Sequence, residues 1–316
     1  MGSRFIAMSA HSAIVDELAA ILPANPFATC SFFESRRRVG YAAWVLGLHD
    51  DANRLEYGCG GFLRTGRLNR TLEILSLPAV GVDSLFWDGL REFCRRHGVT
   101  KLEIGTFASS ADVAIPDFDS HCMLRSRCEF VLDLDGDFAA MLSTNHKRNV
   151  KKAQKAGLVV TRTRSIETAI THEALMSQSL SRRRSRGESV EGVDPSRDCM
   201  AFVESGAGEL FQATRDGTVL SSVLTLHAPN CGYYQSAGTS AEGMAVGASH
   251  FLIHSIACQL RAGGAQIFNL GGADEKSSLA RFKEGFGALR VPLPSASIYI
   301  GPSWRRLVSR GLALVR

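Results

Sequence analysis

Apolar residues recur along this chain in two rhythms, and the switches between them mark its elements. Strand-like runs occupy residues 41–48 (YAAWVLGL) and 55–65, separated by the turn signal HDDAN, and a third, LEILSLPAV at 72–80, ends at Pro78. From 82 to 98 the period lengthens. Leu85, Phe86, Leu90, Phe93 and Cys94 fall on one helical face and Gly98 supplies a C-terminal stop. VTKLEIGTF (99–107) returns to strand, and a loop is expected over 109–128. The pattern then restarts with the strand EFVLDL and one helix over 135–157, with Asp135 or Asp137 as N-cap and Gly157 as stop. Phe138, Leu142, Val150 and Ala153 share one stripe of it, while Lys147, Lys151 and Lys155 recur every four residues on another. A strand at 158–164, a helix near 166–180, the Arg-rich loop RRRSRGESVEGVDPSRD and a helix near 197–205 follow. Three strands at about 209–215, 218–227 and 231–237 are joined by Asp216-Gly217 and Asn230-Cys231-Gly232, which are hairpin residues. A buried helix at 248–264 leads into QIFNLGG.

One unit of this pattern repeats. Gly98 is followed by VTKLEIG closing at Gly105, and Gly264 by AQIFNLG closing at Gly271, an offset of 166 residues. A helix, a Gly stop, a strand with matching apolar positions and a closing Gly in both halves point to duplicated domains. A length of 316 residues with 45% hydrophobic content is enough for two ordinary cores. The expected division is 1–125, 126–302 and a tail at 303–316, where Trp304, Leu307, Val308, Leu312 and Val315 mix with four Arg as a basic amphipathic segment.

Charge changes this picture by its placement. The net charge is +5, but residues 141–190 hold eleven Lys/Arg against three Asp/Glu, so this stretch carries +8 and the remainder −3. A concentrated basic face implies an anionic partner: a nucleotide-linked substrate, a phosphorylated lipid, tRNA or an acidic membrane surface. DNA is not among the expected partners. No apolar run reaches the ~18 residues of a membrane span, and the first 25 residues lack the basic-then-apolar order of a secretory signal. A cytoplasmic protein, with access to the inner face of the membrane, is expected. Eight scattered Cys without a CxxC pair or metal-ligand spacing argue for reduced thiols and against zinc or a disulfide framework, so no metal ligands are assigned.

The densest chemistry lies in FNLGGADEKSSLARFKEGFG (268–287). Lys283 stands between Phe282 and Phe286, beside Gly285 and Gly287, whose missing Cβ atoms would let backbone approach a ligand. A cation so placed suits a carbonyl oxygen on which negative charge develops. This run resembles the signature of the FemA/FemB/FemX acyltransferases, in which a strand reading roughly fDlgG is followed by a loop and FKxGFG. HKRNVKKAQKAGLVV (146–160) is likewise similar to that family's basic helix, close to RrnirkAeklGv. Asn269 stands where the family's pattern has an acidic residue. The resemblance covers most of residues 30–300 and extends to CelD-type acetyltransferase-like proteins of envelope and polysaccharide biosynthesis. It implies an α/β (α+β) chain of two tandem GNAT (acyl-CoA N-acyltransferase) folds with mixed, mostly antiparallel sheets flanked by helices. The first would be degenerate and the second would carry FKxGFG.

The resemblance further implies transfer of an acyl group, acetyl or longer, from a coenzyme A thioester to an amine of a small molecule, saccharide or envelope precursor. Acyl-CoA would be a co-substrate, and no tightly bound cofactor is expected. Lys283 would stabilise the oxyanion, Asp274 or Glu275 would deprotonate the amine, and Tyr234 completes the catalytic set. Tyr233 and Tyr234 adjoin on a strand, so one is expected to face the core and one the cleft. Lys147, Arg148 and Lys151 would hold an anionic group, and Asn269, Phe282 and Phe286 would contact substrate. In GMAVGAS (243–249), Gly243, Val246, Gly247 and Ala248 would meet donor phosphates at a helix start. Two alternatives stand beside this reading. One is aminoacyl-tRNA-dependent peptidyl transfer of the FemX type, placed second because the chain lacks the long helical hairpin of some peptidoglycan members. The other is a binding module without chemistry that uses the 141–190 face. His250 and His254, four apart on an apolar helix, are read as core residues.

Overall fold

The computed structural model describes residues 3–77, 84–107, 115–116, 121–187, 196–274 and 276–301. In chain order the elements are β1 (Arg4–Ser9), α1 (Ser12–Ile21), α2 (Cys30–Arg38), β2 (Ala42–His49), β3 (Leu55–Thr65), β4 (Arg70–Leu77), α3 (Ser84–Arg96), β5 (Lys101–Thr106) and β6 (His121–Asp133). They continue as α4 (Phe138–Met141), α5 (Thr144–Lys155), β7 (Val159–Thr163), α6 (Ile166–Ser185), α7 (Ser196–Glu204), β8 (Gly208–Arg215), β9 (Thr218–Ala228) and β10 (Cys231–Thr239). The last are α8 (Ala241–Val246), α9 (Ala248–Ala262), β11 (Ile267–Ala273), α10 (Ser278–Glu284) and β12 (Leu289–Tyr299). Contacts divide the chain into two compact units: the described residues up to Arg127 with those from Val291 onward, and Cys128–Arg290.

The first unit is a sheet in the order β1-β2-β3-β4-β5-β12, antiparallel except where β4 and β5 run parallel. Its core joins the alternate inward residues of β2, β3, β4 and β5 to the apolar face of α3, where Phe86, Trp87, Leu90, Phe93 and Cys94 are all buried as their helical spacing predicts. Strand β12 supplies Ala296 and Ile298 to this core. The sequence pattern gave no sign of it.

The second unit orders its strands β6-β11-β10-β9-β8-β7, again antiparallel except for one parallel pair, β10 and β11. The turn at Asp216 and Gly217 has both residues at positive φ, 50° and 77°, which joins β8 and β9 as a tight hairpin. Helix α9 is buried along Leu252, Ile253, Ile256 and Ala257 and packs on β8, β9 and β10, while α6 covers the other end of β10. The parallel pairs of the two units differ. β4 and β5 are in register from Thr71–Lys101 through Leu77–Thr106, across one irregularity, whereas β10 and β11 pair only from Cys231–Ile267 to Tyr233–Asn269. The second unit therefore has a gap between its central strands where the first has backbone hydrogen bonds.

Several expected elements are corrected. The loop expected at 109–128 gives way at His121 to strand β6. The single helix expected at 135–157 is two, because Ser143 accepts from the His146 N–H as a new N-cap and Asp137 caps only the short α4. Helix α6 runs on to Ser185, so Arg182, Arg183 and Arg184 belong to its last turn, where cations favour the helix dipole. The segment after Asp274, expected as a charged loop, holds α10, capped by the Ser277 hydroxyl accepting from the Ala280 N–H. The amphipathic segment 303–316 and Glu275 lie outside the described residues.

Candidate active site

The two motifs are one piece of packing. His146, at the start of α5, is buried against Phe282 and Phe286, with ring centroids 5.5 and 4.5 Å away, and against His250 at 4.6 Å. Its Nε2 lies 2.9 Å from the Phe282 carbonyl, which can only accept, so Nε2 carries the proton and Nδ1 accepts from the Ser143 hydroxyl at 2.8 Å. Burial holds its pKa below the usual histidine value and keeps it neutral, against the opposing pull of the Phe282 carbonyl. Gly285 makes room for this ring: a Cβ there would stand 2.5 Å from Nδ1 and 2.6 Å from Nε2. Gly287, at φ +85°, would likewise press a Cβ into Met141. Gly285 thus makes room for a buried ring and Gly287 for the partly covered Met141, and Phe286 is a core residue, 1% exposed.

This packing delivers α10 to the gap between β10 and β11. There a cavity of about 650 Å³ opens within the second unit, walled by α6 and α7 on one side and by β10, the Gly271–Gly272 turn and α10 on the other. Lys283 and Phe282 both line it. Lys283 is 4% exposed; its Nζ donates to the Gly272 carbonyl at 2.7 Å and lies 5.6 Å from the Tyr234 ring and 5.8 Å from that of Phe130. Burial pushes its pKa down to about 8, opposed by the charge of Glu129. Gly271 has φ +72°, and the position its Cβ would occupy is 3.6 Å from the Tyr233 hydroxyl and 3.8 Å from Lys283 Nζ. A cation and a phenol therefore converge on one turn.

Asn269 lies on the floor beneath that turn, fully buried, with Oδ1 accepting from the Gly271 N–H at 2.8 Å and Nδ2 donating to Glu129 Oε2 at 2.8 Å. The acidic group absent from position 269 is thus present one strand away, on β6. Position 129 carried no sequence signal, because cross-strand register brings it there.

Tyr233 and Tyr234 both line the cavity, contrary to the expected division between core and cleft. β10 parts from β11 after Tyr233 and is irregular between Tyr234 and Ser236, so strict alternation lapses. Tyr234 also packs on the core, and burial raises its pKa. Asp274 is exposed and does not line the cavity. Lys147, Arg148 and Lys151 are exposed on α5, apart from the cavity wall; Lys147 Nζ donates to the Ala140 carbonyl at 3.0 Å and Arg148 to Asn145 Oδ1 at 3.2 Å.

The segment 243–248 does not form an open phosphate cradle. The Gly243 N–H donates to the Ser240 hydroxyl and the Gly247 N–H to the Met244 carbonyl, as parts of α8 and its cap. Gly247, Ala248 and Gly243 are buried, Val246 packs on the core, and a Cβ on Gly247 would meet the Asn149 carbonyl of α5 at 2.7 Å. The Gly243 and Gly247 N–H groups are therefore spent within α8 and are not available to the diphosphate of a coenzyme A donor, while α9 starts at its N-cap Gly247 without a side-chain cap. Only Met244 of this segment reaches the cavity.

A buried polar bridge went unrecognised in the sequence. His172 of α6, 0% exposed, places Nδ1 2.9 Å from the Ser222 hydroxyl and Nε2 2.9 Å from that of Ser236, which lines the cavity. Burial pushes its pKa down to about 4, so it ties α6 to β9 and β10 as a neutral ring. His250 and His254 are half-buried among Phe138, Phe282 and Phe286, and the described residues hold no cluster of His, Cys, Asp or Glu suited to a metal. All eight cysteines are free thiols.

Residues 140–284 match the family described as an acetyltransferase (GNAT) domain. Among solved structures the chain is similar to FemX, with TM-score 0.68 and 14% identity over 92% of this chain and 96% of that one. A tandem GNAT protein from the clavulanic acid biosynthesis pathway gives 0.57 and 15% over 95% and 99%. L-PGS from Bacillus licheniformis gives 0.56 and 12% over 96% and 97%. No curated protein sequence matches at a significant level. Among the described residues, no helix is long and apolar enough to cross a membrane. The splayed parallel strands, the helix leading out of β10 and the match over 140–284 make the second unit similar to a GNAT domain, in a chain with the FemX-like tandem GNAT fold.

Proposed function

We propose that the second unit transfers an acyl group from an activated ester to a primary amine bound in its cavity, with Lys283 as the oxyanion-stabilising cation. The observation that carries this reading is an ammonium, almost wholly buried, at the wall of a cavity roughly the size of a small substrate, which Arg183 and Arg186 also line. Amine attack on the acyl carbon places negative charge on the carbonyl oxygen. One Lys283 N–H is engaged by Gly272, which among the described residues leaves two for that oxygen. The Gly272 bond also fixes the side chain before substrate arrives, so little reorganisation accompanies charge development. The Tyr233 hydroxyl, beside the same turn, is placed to orient the amine or the tetrahedral intermediate.

The GNAT fold implies an acyl-CoA donor, but the Gly243 and Gly247 N–H groups are not available to its diphosphate. The observation favouring another donor is α5, whose exposed Lys147, Arg148, Lys151, Lys152 and Lys155 share a helix without one acidic residue and which packs on α9 and on α8, the helix whose Met244 lines the cavity. Such a face supports an extended polyanion, and aminoacyl-tRNA is the donor that combines a polyanion with an activated ester. The test is equilibrium binding of aminoacylated tRNA and of acetyl-coenzyme A at two salt concentrations. The expected result is tRNA binding that weakens steeply with salt and is lost in a Lys147→Glu, Lys151→Glu, Lys155→Glu variant. Saturable acetyl-coenzyme A binding that tRNA does not compete with would overturn the donor reading. In either case the amine acceptor is sought among envelope precursors and small amines.

A further inference from the structure

Three polar heads lie inside the second unit around the Gly271–Gly272 turn: Glu129 and Asn269 at 0% exposure and Lys283 at 4%. A buried ammonium stays charged only where an anion or a set of acceptors offsets its lost hydration, and a buried carboxylate has the converse requirement. The charged and titratable groups around Lys283 come from several elements: Arg183 and Arg186 at the end of α6 and Asp198 and Cys199 of α7 line the same cavity. Tyr233 and Tyr234 approach from β10, and Arg290 lies over the Phe130 ring at 5.9 Å, as Lys283 itself does. Glu284, its neighbour on α10, is engaged by Arg290 at 2.8 Å. Glu129, whose strand pairs it with Gly272, is the fully buried acidic residue of the set, and its field acts on Lys283 in the direction that favours the charged form.

We propose that Glu129 is the positioning residue of Lys283: through Asn269 it fixes the turn whose Gly272 carbonyl holds the ammonium, and its charge keeps that ammonium protonated. The connection is continuous. Glu129 accepts from Asn269 Nδ2, Asn269 Oδ1 accepts from the Gly271 N–H, and the next carbonyl accepts from Lys283. The geometry also makes the charge portable. In the pair Glu129→Gln with Asn269→Asp, the Gln amide donates across the same 2.8 Å bond while Asp keeps an oxygen for the Gly271 N–H. Glu129→Gln alone keeps the shape and an acceptor for Asn269 and removes only the charge.

The experiment titrates Lys283 directly, by NMR of the whole protein carrying 13Cε-labelled lysine, with the signal assigned through Lys283→Arg. Only the activity readout rests on the acyl-transfer reading; the titration needs no substrate. Glu129→Gln is expected to lower the Lys283 titration by about one pH unit or more, a tenfold loss of ammonium on the basic side. Asn269→Asp alone sets two buried carboxyl groups 2.8 Å apart that share one proton, so Lys283 should titrate near wild type there, and the double variant should return the Glu129→Gln value toward wild type. The basic limb of the transfer pH profile should move in parallel. An unshifted titration in folded Glu129→Gln overturns the proposal, as does a double variant that titrates as low as the single one. If Glu129→Gln does not fold, Glu129→Asp, whose shorter side chain withdraws the carboxylate from Asn269, is titrated instead, and an unshifted Lys283 there overturns it equally. A shifted titration in a protein that transfers no acyl group would sink the acyl-transfer reading and leave the Glu129–Lys283 coupling standing.

Discussion

Gly285→Ala offers a test in which two readings of the same glycine predict opposite signs. Gly285 has φ −63° and ψ −15°, a right-handed helical conformation that alanine adopts without strain. If the glycine served only backbone freedom, alanine would stabilise the protein by about 0.4–1 kcal/mol through the unfolded state. The structure predicts the reverse, because the new methyl would sit within 2.6 Å of both His146 ring nitrogens. Overpacking of this kind costs about 1–3 kcal/mol. Expelling the ring also removes the partner of the part-buried Phe282 carbonyl, adding about 1 kcal/mol. Set against the gain through the unfolded state, a net loss of about 1–3 kcal/mol should lower the melting temperature of the second unit by roughly 2–12 °C, at the few degrees per kcal/mol expected for its size. Scanning calorimetry is the assay, since the two units need not melt together. His146→Ala, which opens a cavity, should cost about 2–4 kcal/mol by itself. Adding Gly285→Ala to it should cost almost nothing, so the two changes couple by most of the single-variant loss. A Gly285→Ala protein that melts at or above wild type, or losses that add in the double variant, would refute the interlocking of the two motifs.

Two further predictions concern the same unit. His172 has its pKa pushed from 6.5 to about 4 by burial, so the unfolded chain binds a proton that the folded one refuses. The neutral ring's contribution is intact above pH 6.5 and about 3 kcal/mol of stability is lost as pH falls to 4. Urea midpoints across that range should drop less in His172→Gln than in wild type, and equal drops would show that the ring does not titrate as described. Gly247→Ala should cost about 1–3 kcal/mol, since φ +79° disfavours a side chain and its Cβ would stand 2.7 Å from the Asn149 carbonyl. An unchanged melting temperature would mean that α5 does not cover the start of α9.

Much of this architecture was legible because it follows from period and punctuation. The α3 face, the β8–β9 hairpin at Asp216-Gly217 and the strand ending at Gly271–Gly272 each declare themselves within a few neighbouring residues. What escaped depends on contacts distant in sequence. Glu129 is an ordinary strand residue until register sets it against Gly272 and Asn269. His172 looks like one polar residue in a weakly amphipathic helix until Ser222 and Ser236 close on its two nitrogens. Strand β12 alternates only weakly and contains two prolines, so its pairing with β5 leaves little trace in the pattern. The glycines of FKEGFG were visible, but their purpose was not, because the partners they admit, His146 and Met141, lie some 140 residues earlier in the chain. Motifs that look like ligand contacts in one dimension are here the joints of a core.

The central claim is that Lys283 stabilises the transition state of acyl transfer, and single-turnover transfer from pre-bound donor by wild type and Lys283→Met tests it most directly. Labelled aminoacyl-tRNA and acyl-coenzyme A would be offered with a panel of amines, and products followed by mass spectrometry. The account predicts an N-acyl product from wild type, formed about 10²–10³ times more slowly by the variant, with donor affinity unchanged. Equal rates in the two proteins, or a variant that loses donor binding instead of the chemical step, would contradict it.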